Sequence, residues 1–349
     1  MIRAFFASRH WWLFAYGGGA ALLASLYYQV HFSVLINSWY GSFYNLLQEA
    51  AKHSVSELWE GIEAFLWLAI PYVLLATITG YATRLYGFAW RQAITKDYLP
   101  RWRTVTAEIE GASQRIQEDT ARFARIVESL GLQIARAVMT LIAFIPILAG
   151  LSEKVIVPYV SAMPNSLVWL ACAVSLGGML VSWFVGAKLP MLEYNNQKAE
   201  AAFRKELVHG EDDKIRYASV PVLVELFTGV RQNYYRLYLH YGYFDLWMNL
   251  YDQLMVVVPY VIMGPGLFTG AVTLGVLVQT SNAFSRVHTS FALFIHNWTT
   301  ITELRSIHMR LAEFERNLVR HEQSTVPYEC SASPKADSEY ENLACGSVR

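Results

Sequence analysis

The sequence predicts an all-α membrane protein, because its apolar residues are abundant and are gathered into long stretches. Hydrophobic residues make up 54% of the 349 residues and charged residues only 16%, whereas a soluble domain carries about a quarter charged residues. An apolar soluble protein would spread its hydrophobic residues at helix or strand periods. Basic and acidic residues are equal in number, 28 of each, so net charge gives no reason to expect a nucleic-acid partner.

Six stretches are long and apolar enough to cross a hydrocarbon core, which takes about 20 residues of helix. We expect these spans at 11–36, 62–88, 132–150, 165–187, 247–265 and 271–300. The first stretch begins with Trp11 and Trp12, which suit the membrane interface. It is too long, and too aromatic at its end, for a cleaved signal peptide.

Lysine and arginine are divided unevenly between the connections, and this division sets the expected orientation. Three connections hold almost none of them: 37–61, 151–164 and 264–270. Nearly all the others lie near the N-terminus, in the segments 89–131 and 188–246, or after residue 300. We therefore expect both termini in the cytoplasm.

The two basic inner segments, 89–131 and 188–246, carry apolar residues between their charges and are expected to be helical. Long inner connections after the second and fourth spans, with short outer turns, are typical of the membrane domains of ABC exporters. No glycine precedes a lysine, so the phosphate-binding pattern GxxxxGK[ST] is absent and we expect this chain to bind no ATP. After the sixth span about 50 residues remain, too few for an ATPase domain.

Four segments carry a resemblance to a known family. They are NSWYGSFYNLLQEA (37–50), EIEGASQRIQEDTARFA (108–124), LPMLEYNNQKAEAAFRKELVHGEDD (189–213) and HNWTTITELRSIHMRLAEFE (296–315). The chain resembles the SbmA/BacA family of bacterial inner-membrane peptide transporters from about residue 30 to 316. The shorter QRIQED stretch also resembles peroxisomal-type ABC transporters, and the chain is shorter at its start than enterobacterial members of the family.

The resemblance implies a homodimer with six transmembrane helices per protomer and the ABC-exporter-like fold, without a nucleotide-binding domain. It implies a secondary active transporter, not an enzyme, that uses the proton gradient to import peptides and peptide-like antimicrobials across the bacterial inner membrane. Its partners would be a second copy, peptide substrates and the lipid bilayer, and it would need no cofactor or metal. We expect a transporter domain over 1–321 and a disordered cytoplasmic tail over 322–349.

Two other functions stay open at this point. The chain would alternatively be the membrane subunit of an ABC transporter with a separately encoded ATPase, or a non-transporting factor that affects the envelope or its lipids. The physiological substrate and the proton stoichiometry do not follow from the sequence.

Proton coupling needs groups that change protonation during transport, and carboxylates suit this role when partial burial raises the pKa from about 4 toward neutrality. The candidates lie where the spans meet the inner segments, on positions that match the family: Glu128, Glu193, Glu200, Glu206 and Glu303. Glu193 and Glu200 are a heptad apart and share a helix face. The alternative for each is a carboxylate that only solvates its helix.

Ionisable residues inside the expected spans form a secondary set, because burying them is costly. They are His31, Asp252, Arg286 and His288. A structural ion pair with a neighbouring helix is the alternative for Asp252, and a packing role is the alternative for His288. Arg286 and His288 are two residues apart and cannot share a face.

Aromatic residues of the motif 37–50 are candidates for substrate binding: Trp39, Tyr40, Phe43 and Tyr44. Their spacing puts them on one helical face, which would alternatively lie in the membrane interface. The cysteines Cys172, Cys330 and Cys345 lack metal-ligand spacing. In the QRIQED stretch we expect Glu118 and Asp119 to pair with Arg115 or Arg122 in a structural network.

Overall fold

The computed structural model describes residues 1–105, 109, 111–152, 164–214 and 216–322, and these ranges are almost entirely helical. The helices are α1 Ile2–Phe6, α2 Gly19–Gln48, α3 Val55–Thr104, α4 Ala112–Gln114, α5 Thr120–Ser152, α6 Ser166–Gly186, α7 Leu189–Asp212, α8 Val220–Phe268, α9 Leu274–His296 and α10 Trp298–Glu322. The π-helical turns Phe14–Gly18 and Arg115–Asp119 lead directly into α2 and α5. The all-α prediction is confirmed, whereas the expected tail after residue 322 lies outside the described residues.

Within the described residues, five helical stretches are long and apolar enough to cross a membrane. They are Phe14–Gln48, Val55–Thr104, Ala112–Ser152, Ser166–Glu211 and Val220–Phe268. These stretches contain the whole of the second, third and fifth expected spans and most of the first and fourth. Most of the sixth expected span, 271–300, forms α9, which is not among these five stretches. It stays a prediction.

Several of these helices are much longer than a membrane is thick. α3 has 50 residues and is about 75 Å long at 1.5 Å per residue, against a hydrocarbon core of about 30 Å. A capping box starts it, in which the Ser54 backbone N–H donates to Glu57 Oε1 at 3.1 Å. The prediction that the segments 89–131 and 188–246 are mainly helical is confirmed by α3, α5, α7 and α8.

The expected outer turn over 37–61 is wrong in its extent, because α2 continues through most of it to Gln48 and α3 starts at Val55. The stretch after Trp39 lacks proline and ends in good helix formers, Leu46, Leu47 and Gln48. The scarcity of basic residues therefore does not mark the end of a helix.

The chain forms two compact units. The first comprises Met1–Trp39, Ala51–Ala143 and the chain from His296 onward. Its core is rich in aromatic rings, and Phe5 stacks on Trp90 with ring centroids 5.4 Å apart. α10 contributes its fully buried residues to the same core: Ile307, Leu311 and Leu318.

The second unit comprises Tyr40–Ala50 and Phe144–Ile295. Within it, the last turns of α2 hold the start of α9. The backbone N–H of Leu274 donates to Gln48 Oε1 at 2.7 Å, and that of Gly275 donates to Asn45 Oδ1 at 2.9 Å. These side chains satisfy two of the amide groups that a helix N-terminus leaves unpaired. Gly275 lacks a Cβ where the Gly41 carbonyl approaches it.

Candidate functional site

The five candidate glutamates divide between the two units. Glu128 and Glu303 lie in the first unit, on α5 and α10. Glu193, Glu200 and Glu206 lie in the second, all on α7. Each unit therefore has its own acidic side chains, with different surroundings.

Glu128 packs tightly against α3. Its carboxylate occupies the space that Gly87 leaves by lacking a Cβ, and it lies within electrostatic reach of Arg84. Glu128 is half-buried and precedes the apolar stretch 132–150 by a turn of helix. A carboxylate that loses water to a helix backbone gives up its charge more readily than one in solution.

The α7 glutamates have different surroundings from one another. Glu193 is half-buried and lies within electrostatic reach of Tyr241 on α8, as Asp245 does. Glu206 accepts a 2.8 Å hydrogen bond from the backbone N–H of Ala218, which has a left-handed φ of 56°. Glu206 thus stabilises the turn between α7 and α8, a structural role that its position in the motif did not reveal.

Glu303 was expected where the sixth span meets the inner segment that follows it. α9 ends at His296, and Glu303 lies within the following helix α10. Its carboxylate faces Arg122 at 3.4 Å, while Arg122 also pairs with Glu118 at 2.7 Å. All three side chains are exposed, and ion pairs of that kind contribute little.

Asp119 is at the centre of a buried ion-pair network in the first unit. Its side chain is 1% exposed and contacts Arg115 at 2.9 Å, so the expected structural network is confirmed. Arg310 of α10 adds a two-pronged contact, at 2.8 and 3.0 Å to the two carboxylate oxygens. Hydrogen bonding to Asp119 raises the pKa of Arg310 above its ordinary value, although burial opposes the shift. Sequence reasoning missed Arg310, which is 191 residues away.

His288 and Asp252, singled out separately in the sequence, meet in the second unit. The His288 Nε2 atom lies 3.5 Å from Asp252 Oδ1. On its other side, His288 Nδ1 lies 3.4 Å from the Tyr251 hydroxyl. That hydroxyl is also 3.2 Å from the backbone carbonyls of Val174 and Ser175 on α6. The site therefore joins α6, α8 and α9.

The two other ionisable residues of the secondary set lie elsewhere. Arg286 and His31 are both exposed, whereas His288 is buried. The expectation that Arg286 and His288 occupy different faces of one helix is confirmed.

A polar network in the first unit was not foreseen. Arg136 donates to Gln29 Oε1 at 2.7 Å, and Gln29 Nε2 donates to Thr79 Oγ1 at 2.7 Å. The network ties α5, α2 and α3 together, and Gln29 is almost fully buried. Its signal in the sequence was the presence of an amide, a hydroxyl and a guanidinium within apolar stretches.

The aromatic candidates are held in different ways. Trp39 donates its indole N–H to the Gly61 carbonyl at 2.8 Å and packs on Phe65, with ring centroids 4.7 Å apart. In the other unit the rings of Tyr40 and Phe43 each pack beside Tyr44, at 6.1 and 6.3 Å. Trp39 therefore anchors α2 to α3.

Comparison with known proteins decides the family. The model of the SbmA/BacA-like family matches residues 8–319, which is almost the whole chain. The chain belongs to the SbmA/BacA-like family. The resemblance found in the sequence motifs is thereby confirmed, and the chain is a multi-pass membrane protein of a transporter family.

Three similar proteins carry ABC-transporter names. The inner membrane ABC transporter ATP-binding protein YddA of Escherichia coli (strain K12) is 26% identical over 330 residues, which cover 88% of this chain and 58% of that protein. ABC transporter D family member 2, chloroplastic, of Arabidopsis thaliana is 26% identical over 88% of this chain and 44% of its own length. The uncharacterized ABC transporter ATP-binding protein sll0182 of Synechocystis is 25% identical over 73% and 40%. The chain spans about half the length of these relatives.

Proposed function

We propose that this SbmA/BacA-like protein imports peptides and peptide-like antimicrobials across the bacterial inner membrane, driven by the proton gradient. The family match over residues 8–319 carries the proposal. The transporter would work as a homodimer of six-span protomers with both termini in the cytoplasm. The uneven distribution of lysine and arginine supports this orientation.

The surroundings of Glu128 support a proton as the coupling ion. A half-buried carboxylate against Gly87 is a better proton acceptor than one on a solvated helix face. Arg84 nearby favours the charged form, so the two influences oppose each other. Burial is the larger of the two influences, so this carboxylate binds a proton at a higher pH than a solvated glutamate does. Glu193 and Glu200, both half-buried on α7, are the next candidates, ahead of Glu206 and Glu303.

Uptake into liposomes tests the proposal. Purified protein is reconstituted, and entry of a fluorescently labelled proline-rich peptide is followed with an acidic exterior, with and without ATP. We expect accumulation that needs the acid gradient and ignores ATP. Glu128→Gln should lose most of this accumulation, because an amide cannot take up the proton. The exposed Glu118→Gln serves as the matched control, with uptake near that of the unmodified protein.

An ABC transporter that uses an ATPase is the second candidate, and the names of the relatives favour it. In that case peptide would enter only when ATP and an ATPase partner are supplied, and the acid gradient would have no effect. If peptide moves under neither condition, both transport functions are wrong.

A further inference from the structure

We propose that His288, Asp252 and Tyr251 form a second proton-binding site, which takes up and releases one proton during each transport cycle. The inference rests on the proposed proton-driven uptake and adds a site that uses a histidine instead of a glutamate. The three residues come from α8 and α9 and close against the backbone of α6.

The site can exist in two protonation states without leaving a polar atom unpaired. With neutral His288, the Nε2–H faces Asp252 Oδ1 at 3.5 Å and the Tyr251 hydroxyl donates to Nδ1. With charged His288, both ring nitrogens donate. The hydroxyl proton then turns to the carbonyl of Val174 or Ser175, each 3.2 Å away, and the phenol oxygen accepts from Nδ1.

Rotation of one hydroxyl proton therefore adapts the site to gain or loss of a proton. Uptake transfers a proton from a hydronium ion to Nδ1, so that one O–H bond of hydronium breaks as the N–H bond forms, and release to water reverses the step. The net charge of the pair changes from −1 to 0, which lowers the cost of burying Asp252 and His288 together.

The packing holds these groups in place. Trp247 stacks on the Tyr251 ring at 5.8 Å and donates to the Ser182 hydroxyl at 2.8 Å. The Tyr251 ring fills the space that Gly178 leaves by lacking a Cβ. The Tyr251 oxygen is thus fixed opposite His288. The His288 ring lies edge-on to the Tyr251 ring, with ring centroids 5.0 Å apart.

The groups that face His288 include a carboxylate and a phenol. α8 presents Asp252 and the Tyr251 phenol, α6 presents backbone carbonyls, and Arg286 of the same helix points to another face. The His288 side chain is 9% exposed and that of Asp252 is 47% exposed. Asp252 therefore links a buried imidazole to the surface of the unit.

The test separates proton movement from peptide movement. In liposomes, a trapped pH dye reports proton entry that accompanies the labelled proline-rich peptide, and peptide exchange is measured with equal pH on both sides. His288→Gln keeps an amide N–H for Asp252 but cannot bind a proton. We expect peptide-coupled proton entry to fall by about half, because Glu128 still carries its own proton, while exchange stays close to that of the unmodified protein. His240→Gln, at a histidine that bonds to its own helix backbone, is the matched control.

Asp252→Asn is a second test variant. Asp252 is half-exposed, and asparagine is nearly isosteric with aspartate. Without its carboxylate partner the imidazolium is less stable, so the pH midpoint of peptide-coupled proton entry should fall by about 1 unit. Thermal unfolding in detergent shows whether each variant is folded.

The outcomes distinguish this site from the proposed function. If the unmodified protein shows no acid-driven uptake, the proposed function fails and the inference fails with it. If the unmodified protein shows acid-driven uptake while His288→Gln keeps full proton entry, or Asp252→Asn keeps the midpoint, only the inference is overturned. Loss of exchange and proton entry together in a folded His288→Gln would assign His288 to packing and also overturn it.

Discussion

Each unit of the molecule pairs an aspartate with a basic side chain, and the two pairs differ in the basic residue. In the first unit Asp119 is held by a two-pronged contact from Arg310 and a single short contact from Arg115. In the second unit Asp252 faces His288 at 3.5 Å. An arginine stays charged at any pH a cell reaches, whereas a histidine changes charge near neutrality.

The difference separates a structural network from a site that can exchange a proton. The Asp119 network ties α10 to the π-helical turn Arg115–Asp119, and all of its members keep their charge. The Asp252–His288 pair is looser and is backed by a hydroxyl that can reverse its hydrogen bond. Burial of an acidic residue alone does not reveal which of these two roles it has.

Removing the carboxylate of the first pair should have the largest effect. Asp119→Ala leaves Arg310 and Arg115 without their shared partner, and breaking a buried pair in this way costs about 3–5 kcal/mol. Thermal unfolding in detergent should show a large drop in stability. Glu118→Gln, one residue away and exposed, should cost no more than about 1 kcal/mol. Equal losses in the two variants would contradict the structural assignment of Asp119.

An intermediate loss of stability is expected at Gly178, against which the Tyr251 ring packs. Gly178→Ala places a methyl group where the Tyr251 ring lies, and overpacking of this kind costs about 1–3 kcal/mol. It should also displace Tyr251 from His288 and change the pH profile of peptide-coupled proton entry. The neighbouring Gly177 has no atom within 4 Å of an added Cβ. Gly177→Ala should therefore leave both measurements unchanged or raise stability slightly, and a loss there would refute the packing argument.

The smallest effect is expected at the exposed pair of the first unit. Glu303→Gln removes one contact of Arg122, which keeps Glu118 at 2.7 Å. The free energy of unfolding should change by no more than about 1 kcal/mol, with the difference fading in high salt. A loss of stability as large as that of Asp119→Ala would show that exposure does not indicate how much an ion pair contributes to stability.

Helix type and approximate position were predictable because apolar clumping, the scarcity of charge and inner amphipathic segments are local signals. The ends of the helices were less predictable. α2 runs on to Gln48 without a charged residue or proline to mark a change, and the sixth expected span gave no sign of the break between His296 and Trp298. Charge distribution reports the expected side of a membrane, whereas helix ends depend on tertiary contacts such as the Leu274–Gln48 hydrogen bond.

The candidate site was predictable in its residue types but not in its pairings. Asp252 and His288 stood out as ionisable residues in apolar surroundings, yet their meeting depends on how α8 and α9 pack. Arg310 lies in a charged amphipathic segment, and no feature of the sequence distinguishes it from the other basic residues there. Glu206 shared the motif and the chemistry of the other glutamates, and only the fold shows its bond to the Ala218 backbone.

The contact between α2 and α9 sets an order of events during synthesis. Asn45 and Gln48 emerge from the ribosome more than two hundred residues before Leu274 and Gly275, the amides they bind. Because chains fold from the N-terminus as they are made, the end of α2 must wait, with its polar side chains turned to water or lipid headgroups, until α9 arrives. The second unit therefore closes late, and a substitution at Gly275 would show itself first as a defect in biogenesis.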